Sequence, residues 1–312
     1  MTWYVRRASL RDRDALVKLC RATMGPDDYV IDYLDDLILR GVVHIALGPK
    51  ERVVGMMSYT PCIDGSAWLG QARTHPDFRR QGVARALVDS FVGVARAGNV
   101  PVLRLWSEAT NQEGIATFTA TGFREVARFS RVVASAARGP PKSAPLRFDE
   151  SLCRAVTSSP VVAKGRGYVH HDGYFVPASR PVVFALASLG LFRGWEGNLL
   201  SLERSSAARR ETFEFTFWSG DPESVLPEAC RLAAQAGKAN VATFVPRHRD
   251  LLAASRREGF QVGSWAREAI VSELPIAPSN LRKRMRPTYG ELAAKRGHGH
   301  APDGLGWARW NP

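Results

Sequence analysis

The stretch THPDFRRQGVARAL, residues 74–87, constrains the fold of this chain more than any other. It reads as the end of a strand, an arginine-glycine loop and the first turns of a helix. His75-Pro76 ends the strand, because proline lacks a ladder donor and biases its neighbour away from helix. Gly82 has no Cβ, so backbone there can approach an anion closely, and Val83, Ala84 and Ala86 let the helix pack tightly behind the loop. The first helical turn points unpaired N–H groups and the positive end of its dipole outward. Arg79, Arg80 and Gln81 complete a site suited to a pyrophosphate. Taken alone, these residues also fit a basic turn before an ordinary amphipathic helix.

The flanks decide between the two readings. Ala84, Leu87, Val88, Phe91, Val92 and Ala95 recur at helical spacing, and VPVLRLW (100–106) follows as a short apolar strand. Asn111, a helical segment with Ile115, Ala116 and Phe118, and Thr121-Gly122-Phe123 then lead into the strand FREVARFSRVVAS. Upstream, TWYVRRAS reads as a strand, RDRDALVKLCRATM as a helix entered through Ser9, and DDYVIDYLDDLILRG as a second helix. VVHIALGP and VVGMMSYTP form a hairpin closed by Lys50-Glu51-Arg52.

From Trp68 to Phe123 this order resembles the acetyl-CoA-binding core of the GNAT superfamily of N-acetyltransferases. Arg79, Gly82 and Ala84 match its Arg/Gln-x-x-Gly-x-Gly/Ala loop, and Asn111 and Gly122-Phe123 match its later asparagine and Gly-Phe. The resemblance implies an α/β (α+β) fold, a mixed, mostly antiparallel sheet flanked by helices. It implies acetyl-CoA as co-substrate, in a gap between the strands ending near Thr74 and Ser107. Backbone of Ala72, Arg73 and Thr74 would bond the thioester carbonyl, the loop Arg79, Arg80, Gln81, Gly82, Val83 and Ala84 the pyrophosphate, and Asn111 and Phe118 would complete the cofactor site.

An alkyl amine with a pKa of about 10.4 must lose a proton before it attacks, and a carboxylate acting directly or through water is the usual device. Glu108, at the end of the strand 100–107, is the expected base; the alternative is a carboxylate placed there by the helix start near Asn111. Many family members carry a tyrosine acid four residues before the Gly-Phe glycine, where this chain has Phe118. A thiol of pKa about 8.5 is a tolerable leaving group without one, and Tyr59, Ser107 or water are the other donors. The segment MGPDDYV (24–30) corresponds to the family's acceptor pocket, with Asp28 and Tyr29 as candidate substrate residues. Asp28-Tyr29 also weakly resembles the two-domain subgroup that includes histidine N-acetyltransferase, whereas a helix start favours aspartate for structural reasons alone. The expected acceptor is a small-molecule or amino-acid amine. Protein lysine or N-terminal amines, or an acyl-CoA-binding role without catalysis, are the alternatives.

At 312 residues and 45% hydrophobic, the chain suits two cores. ARGPPKSAP (137–145) interrupts the apolar pattern, and beyond it the first half's order recurs: ETFEFTFWSG, PESVLPEACRLAAQAG, NVATFVPR, HRDLLAASRREG and a strand from Phe260. Gly82 and Gly122 lie 40 positions apart, Gly220 and Gly259 lie 39 apart. In the second copy Gly220-Asp221-Pro222 replaces the phosphate loop, adding a repelling charge and removing a donor. The resulting division is a catalytic domain 1–138, a linker 139–147, a degenerate GNAT-like domain 148–274 and a basic tail 275–312; an unrelated α+β domain is the alternative for the second half. One active site per chain follows, in a monomer or homodimer.

Net charge is +13, but the basic residues are spread along the chain with no nucleic-acid module, so an anionic cofactor accounts for them better than nucleic acid. The densest clusters besides the loop are Arg209-Arg210 and Arg282-Lys283-Arg284-Met285-Arg286. No apolar run reaches the roughly 18 residues of a membrane span, so a cytoplasmic protein is expected. Cys20, Cys62, Cys153 and Cys230 are scattered, which suits buried thiols better than metal or disulfide frameworks. His170-His171, adjacent on a strand, point to opposite faces and do not chelate one ion; no metal is expected. His298-Gly299-His300, Trp307 and Trp310 lie in the tail.

Overall fold

The computed structural model describes residues 3–203 and 211–277. Arg209-Arg210 and the tail features Arg282–Arg286, His298–His300, Trp307 and Trp310 lie outside the described residues. The first half runs β1 (Tyr4–Arg7), α1 (Arg13–Met24), α2 (Leu34–Leu39), β2 (Val43–Leu47), β3 (Val53–Pro61), β4 (Ala67–Thr74), α3 (Val83–Gly98), β5 (Val102–Glu108), α4 (Gln112–Ala120) and β6 (Arg124–Ser135). The second helix expected over 27–41 is two pieces, a 3₁₀ turn Tyr29–Tyr33 and α2, because Asp28 caps the turn through the Val30 N–H.

After β6 come β7 (Ala144–Pro145), α5 (Glu150–Thr157), α6 (Pro160–Lys164), the hairpin β8 (Tyr168–His171) and β9 (Tyr174–Pro177), and α7 (Arg180–Ser188). Then follow β10 (Phe192–Trp195), β11 (Asn198–Leu202), β12 (Thr212–Ser219), α8 (Pro222–Gln235), β13 (Asn240–Pro246), α9 (Arg249–Arg257), β14 (Gln261–Val262) and β15 (Ala269–Pro275). The repeat is visible as two units, β4–α3–β5–α4–β6 and β12–α8–β13–α9–β14, in which β4/β5 and β12/β13 are parallel pairs.

The two units do not form separate sheets. Among the described residues thirteen strands make one sheet in the order β1-β2-β3-β4-β5-β15-β6-β13-β12-β11-β10-β7, with β14 also on β6. The chain's last strand therefore returns to the first half and lies between β5 and β6, pairing Ala269–Pro275 with Glu108–Val102. In exchange β6 overruns into the second half. Its residues 124–129 pair with β15, while 129–135 pair with β13. The linker read at 139–147 thus separates elements but not the sheet, and residues 269–275 of the second half build the first.

Side-chain alternation explains why β15 fits there. Ala269 and Val271 enter the core shared by both halves, with Phe129, Phe175 and Trp218. Glu273 accepts from Arg104 of β5, a buried guanidinium that also donates to Asp64 (2.6 Å) and the Ser66 hydroxyl (2.6 Å), with the Tyr168 ring 5.7 Å away. On the other face α3 buries Val83, Leu87, Val88, Phe91 and Ala95, one stripe at helical spacing, against Leu69, Leu103 and Leu105. Gly55 of β3 makes that seat possible, since a Cβ there would lie 2.4 Å from Val83 Cγ1.

Because each half completes the other's sheet, unfolding should be a single event. Val271→Asp, a charge placed at a fully buried position, should lower the unfolding free energy by about 3–5 kcal/mol or more. Calorimetry of the wild type should give one transition. Two resolved transitions, only one of them shifted by Val271→Asp, would show that the halves fold independently.

Candidate functional site

The parallel strands β4 and β5 are paired only at Ala67–Leu103 and Trp68–Arg104, and then part. Part of the reason is local to β4. Between Ser58–Gly70 and Met56–Arg73, two steps of β3 face three of β4, so β4 carries one extra residue, and Gln71 there takes a left-handed φ of 50°. The Gln71 carboxamide is held by the Ser58 hydroxyl. Beyond the bulge Ala72 is exposed, Thr74 is half-buried and the Arg73 side chain turns inward.

The loop at the end of β4 is shaped as an anion cradle. Arg79, Arg80, Gln81 and Gly82 are exposed, and Arg80 and Gly82 have φ of 59° and 83°. Gln81 is fixed at both ends: its carbonyl accepts from Trp3 Nε1 (2.8 Å) and its amide donates to Asp77 O (2.8 Å). The first helical bond of α3 runs from the Ala86 N–H to Gly82 O. The N–H groups of Val83, Ala84 and Arg85 consequently have no helical carbonyl to bond, and the first turn holds no acidic residue.

Glu108 ends β5 beyond the parting point. It is half-buried, and one carboxylate oxygen accepts from the Glu268 N–H (3.1 Å), while the Ala109 N–H donates back to Glu268 O (2.8 Å). The neighbouring acids are neutralised by arginines: Asp64 and Glu273 by Arg104, Glu268 by Arg128 (2.7 Å) and Arg247 (3.1 Å). Glu108 has no ion-pair partner among the described residues. The alternative drawn from the helix start does not describe its contacts, because Asn111 itself caps α4 through the Gly114 N–H (3.0 Å). Gly114 is crowded by that cap, a Cβ there lying 2.5 Å from Asn111 Nδ2. Phe118 is half-buried and meets Phe123 edge-on at 5.9 Å, on the α3 side of the sheet.

Asp28 is not presented to an amine. Its side chain is fully buried and accepts two hydrogen bonds from Arg73, Nε to Oδ2 at 2.8 Å and NH2 to Oδ1 at 2.7 Å. Burial alone would raise its pKa, but the Arg73 hydrogen bonds and charge outweigh burial and hold it below the ordinary carboxylate range. The pair ties the segment before α2 to the inward turn of β4. Tyr29 stays exposed, its ring 5.7 Å from the Arg73 guanidinium. Sequence reasoning placed Arg73 through its backbone and missed this role; the signal was an arginine in a strand otherwise bound for the core. Burial also pushes the thiols of Cys20 and Cys230 up to about 11, and all four cysteines are buried and free.

The second half contains the same seam, filled. β12 and β13 pair from Thr212–Asn240 to Glu214–Ala242 and then part. The freed carbonyls of Phe215 and Trp218 accept from Thr243 Oγ1 (2.7 Å) and Ser159 Oγ (2.6 Å), and Thr216 Oγ1 donates to His170 O (2.7 Å). α6 and β8 are thereby stitched against the seam. At the start of α8, Asp221 bonds the Glu223 N–H (3.3 Å), and Asn198 Oδ1 accepts from the Asp221 N–H (3.0 Å). The anion position is occupied by the chain's own groups. His170 and His171 are both buried, the first bonded to Glu203 (3.0 Å), and no metal-binding group exists among the described residues. Nor is any described helix long and apolar enough to cross a membrane.

Residues 15–123 match the Acetyltransferase (GNAT) family. A mycothiol acetyltransferase of Mycobacterium avium is 30% identical over 95 residues, and that of Mycolicibacterium paratuberculosis gives the same figures. The match spans 30% of this chain and 28% of each relative's length. A GCN5-related N-acetyltransferase from Sphaerobacter thermophilus superposes with a TM-score of 0.57 at 14% identity, over 89% of this chain and 96% of that one. A protein from Thermoplasma acidophilum does so with 0.59 at 14%, over 87% and 99%. At such identity the likeness is one of fold, and it runs through both halves.

Removing Arg73 should expose the cost of the buried carboxylate it neutralises. Arg73→Met is expected to destabilise by about 3–5 kcal/mol, and Asp28→Leu with Arg73→Met by much less. Asp28 is depressed in the folded state, so the pair's contribution is complete above the ordinary carboxylate range and is lost as pH falls through the depressed value. Denaturant titrations should therefore show the gap between wild type and Arg73→Met narrowing on acidification; a gap independent of pH would contradict the assignment.

Proposed function

We propose that this chain, whose first half is a domain of the GNAT acetyltransferase family, transfers the acetyl group of acetyl-CoA directly to a primary amine of a small molecule. The observation that carries the reading is the parting of β4 from β5 after Trp68–Arg104, with a cradle of backbone donors beyond the end of β4 and Glu108 at the end of β5, both on the open side of the split. The residues fit the co-substrate. Arg79 to Ala84 supply two cations and the open N–H groups of α3 for a pyrophosphate, and Gly82, at a φ that L side chains rarely adopt, brings backbone close. Ala72 to Thr74, turned by the bulge at Gln71, offer backbone to the thioester carbonyl. Phe118 packs on the α3 side, and Asn111 supports the site by starting α4.

When bound, acetyl-CoA supplies an activated acyl carbon, and the chain's task is to place an amine against it. Positioning the two reactants supplies much of the acceleration without a covalent enzyme intermediate. Glu108 accepts the ammonium proton directly or through one water; the nitrogen then forms the amide bond as the C–S bond breaks and the thiolate leaves, and the second proton shed by the nitrogen passes to water or to the departing thiolate. Phe118 donates no proton, and a leaving thiolate of pKa about 8.5 needs none. The mycothiol acetyltransferases matched over this half carry acetyl transfer in their name, which agrees with acetyl as the group moved.

The test follows free thiol while the protein is incubated with acetyl-CoA and a panel of primary amines. Glu108→Gln should lower kcat by about 10²–10⁴-fold and leave the Kd for acetyl-CoA unchanged. Gly82→Val, strained at a φ of 83°, should weaken acetyl-CoA binding by at least about tenfold. Binding of acetyl-CoA with no amine-dependent thiol release would instead identify a carrier or sensor. Undiminished binding by Gly82→Val would remove the phosphate-loop assignment.

A further inference from the structure

We infer that Trp265, carried on the turn before the chain's last strand, lines the acceptor side of the first half's split and, with Trp106, selects amines with an apolar or aromatic skeleton. The inference rests on the acetyltransferase reading above. Along β5, Leu103 and Leu105 face α3 and its core, so Arg104, Trp106 and Glu108 face the opposite side. The cradle belongs to the α3 side. A second reactant reaching the same slit has the other face to approach from, and there Trp106 and Glu108 are the β5 side chains beyond the parting point.

The turn 263–268 closes over this end of β5. Trp265 stacks on Trp106 with ring centroids 6.4 Å apart and planes 26° from parallel, and meets Phe244 at 6.1 Å. Its other support is the Arg131 guanidinium, 4.4 Å from the ring centroid. Backbone fixes the turn on both sides: the Gly263 N–H donates to Arg131 O (2.9 Å), the Arg131 N–H to Ala266 O (2.9 Å), and the Glu268 N–H to Glu108 itself. Ala266, fully buried, accepts a left-handed φ of 52° in this turn. A tryptophan held this firmly and still 40% exposed is a rigid apolar platform beside the carboxylate expected to receive the amine's proton. An amine bearing an aromatic or extended alkyl body can lay that body on the indole with its nitrogen toward Glu108. A small polar amine gains nothing from it.

Trp265→Ala and Trp265→Phe separate this role from a structural one. With phenethylamine and ethanolamine as probe acceptors, Trp265→Ala should raise KM for phenethylamine by about tenfold or more and leave that for ethanolamine within about twofold. Trp265→Phe should recover most of the loss, and the Kd for acetyl-CoA should not move. Equal losses on both amines, or unchanged discrimination, would overturn the inference. If the wild type turns over neither amine, the panel of primary amines above decides whether the acetyltransferase reading fails. Calorimetric titration of phenethylamine into the CoA-saturated protein then decides this inference separately: weaker binding by Trp265→Ala supports it, whereas equal binding, or none by the wild type, overturns it.

Discussion

The ladder between β5 and β15 is the interaction on which the site depends. β5 can part from β4 after two paired residues because its other edge is saturated along its whole length, from Val102 to Glu108, by Pro275 to Ala269. Without that partner a splayed strand would leave buried backbone donors and acceptors unpaired on both edges, at a cost of about 1–3 kcal/mol each. The strand that supplies it comes from far along the chain, as the contact between Glu108 and Glu268, 160 residues apart, makes plain. The open slit and the crossing of the two halves are thus one arrangement.

The exchange also gives the second half a purpose that needs no chemistry. β6 serves as a strand of both units, its early residues on β15 and its later ones on β13. β14, two residues long, is the shortened counterpart of β6 in the second unit. Once the duplicated strands are shared, neither half can dissociate without stripping ladders from the other, and the second seam is free to be filled. Ser159 and Thr243 bring hydroxyls to carbonyls of β12, and Thr216 donates to β8, so the second unit loses the slit and keeps the sheet.

Much of this was legible in the sequence because it is local. The loop 74–87, the helix stripe from Val83 to Ala95, the order of elements and the repeat all follow from spacing within one or two elements. The departure of Asp221-Pro222 from the arginine-glycine loop was legible, but the filling of the seam was not, since Ser159 and His170, which bond to β12 there, belong to elements far from it in sequence. Asp28 was read as a candidate substrate residue or a helix-start aspartate because nothing nearby in sequence neutralises it; its partner, Arg73, is 45 residues away. The return of β15 was invisible for the same reason: AIVSELP is apolar enough for any slot in a sheet, and pairing partners are chosen by the edge left open. Trp265 was passed over because its importance comes from Trp106 and Arg131, which only the turn of the chain brings to it.

Charge explains why Glu108 stands apart from the other acids around it. In a chain of net charge +13, a carboxylate near the sheet seldom lacks an arginine, and Asp28, Asp64, Glu268 and Glu273 each have one. Each such pair commits carboxylate oxygens to a guanidinium. Glu108 takes a single backbone N–H instead, which fixes the side chain without matching its charge. A general base has to be held in place while keeping an oxygen able to accept a proton, and an N–H donated by the returning strand does the first without preventing the second. The strand that lets β5 part from β4 is, by this argument, also what leaves Glu108 free for the role proposed for it.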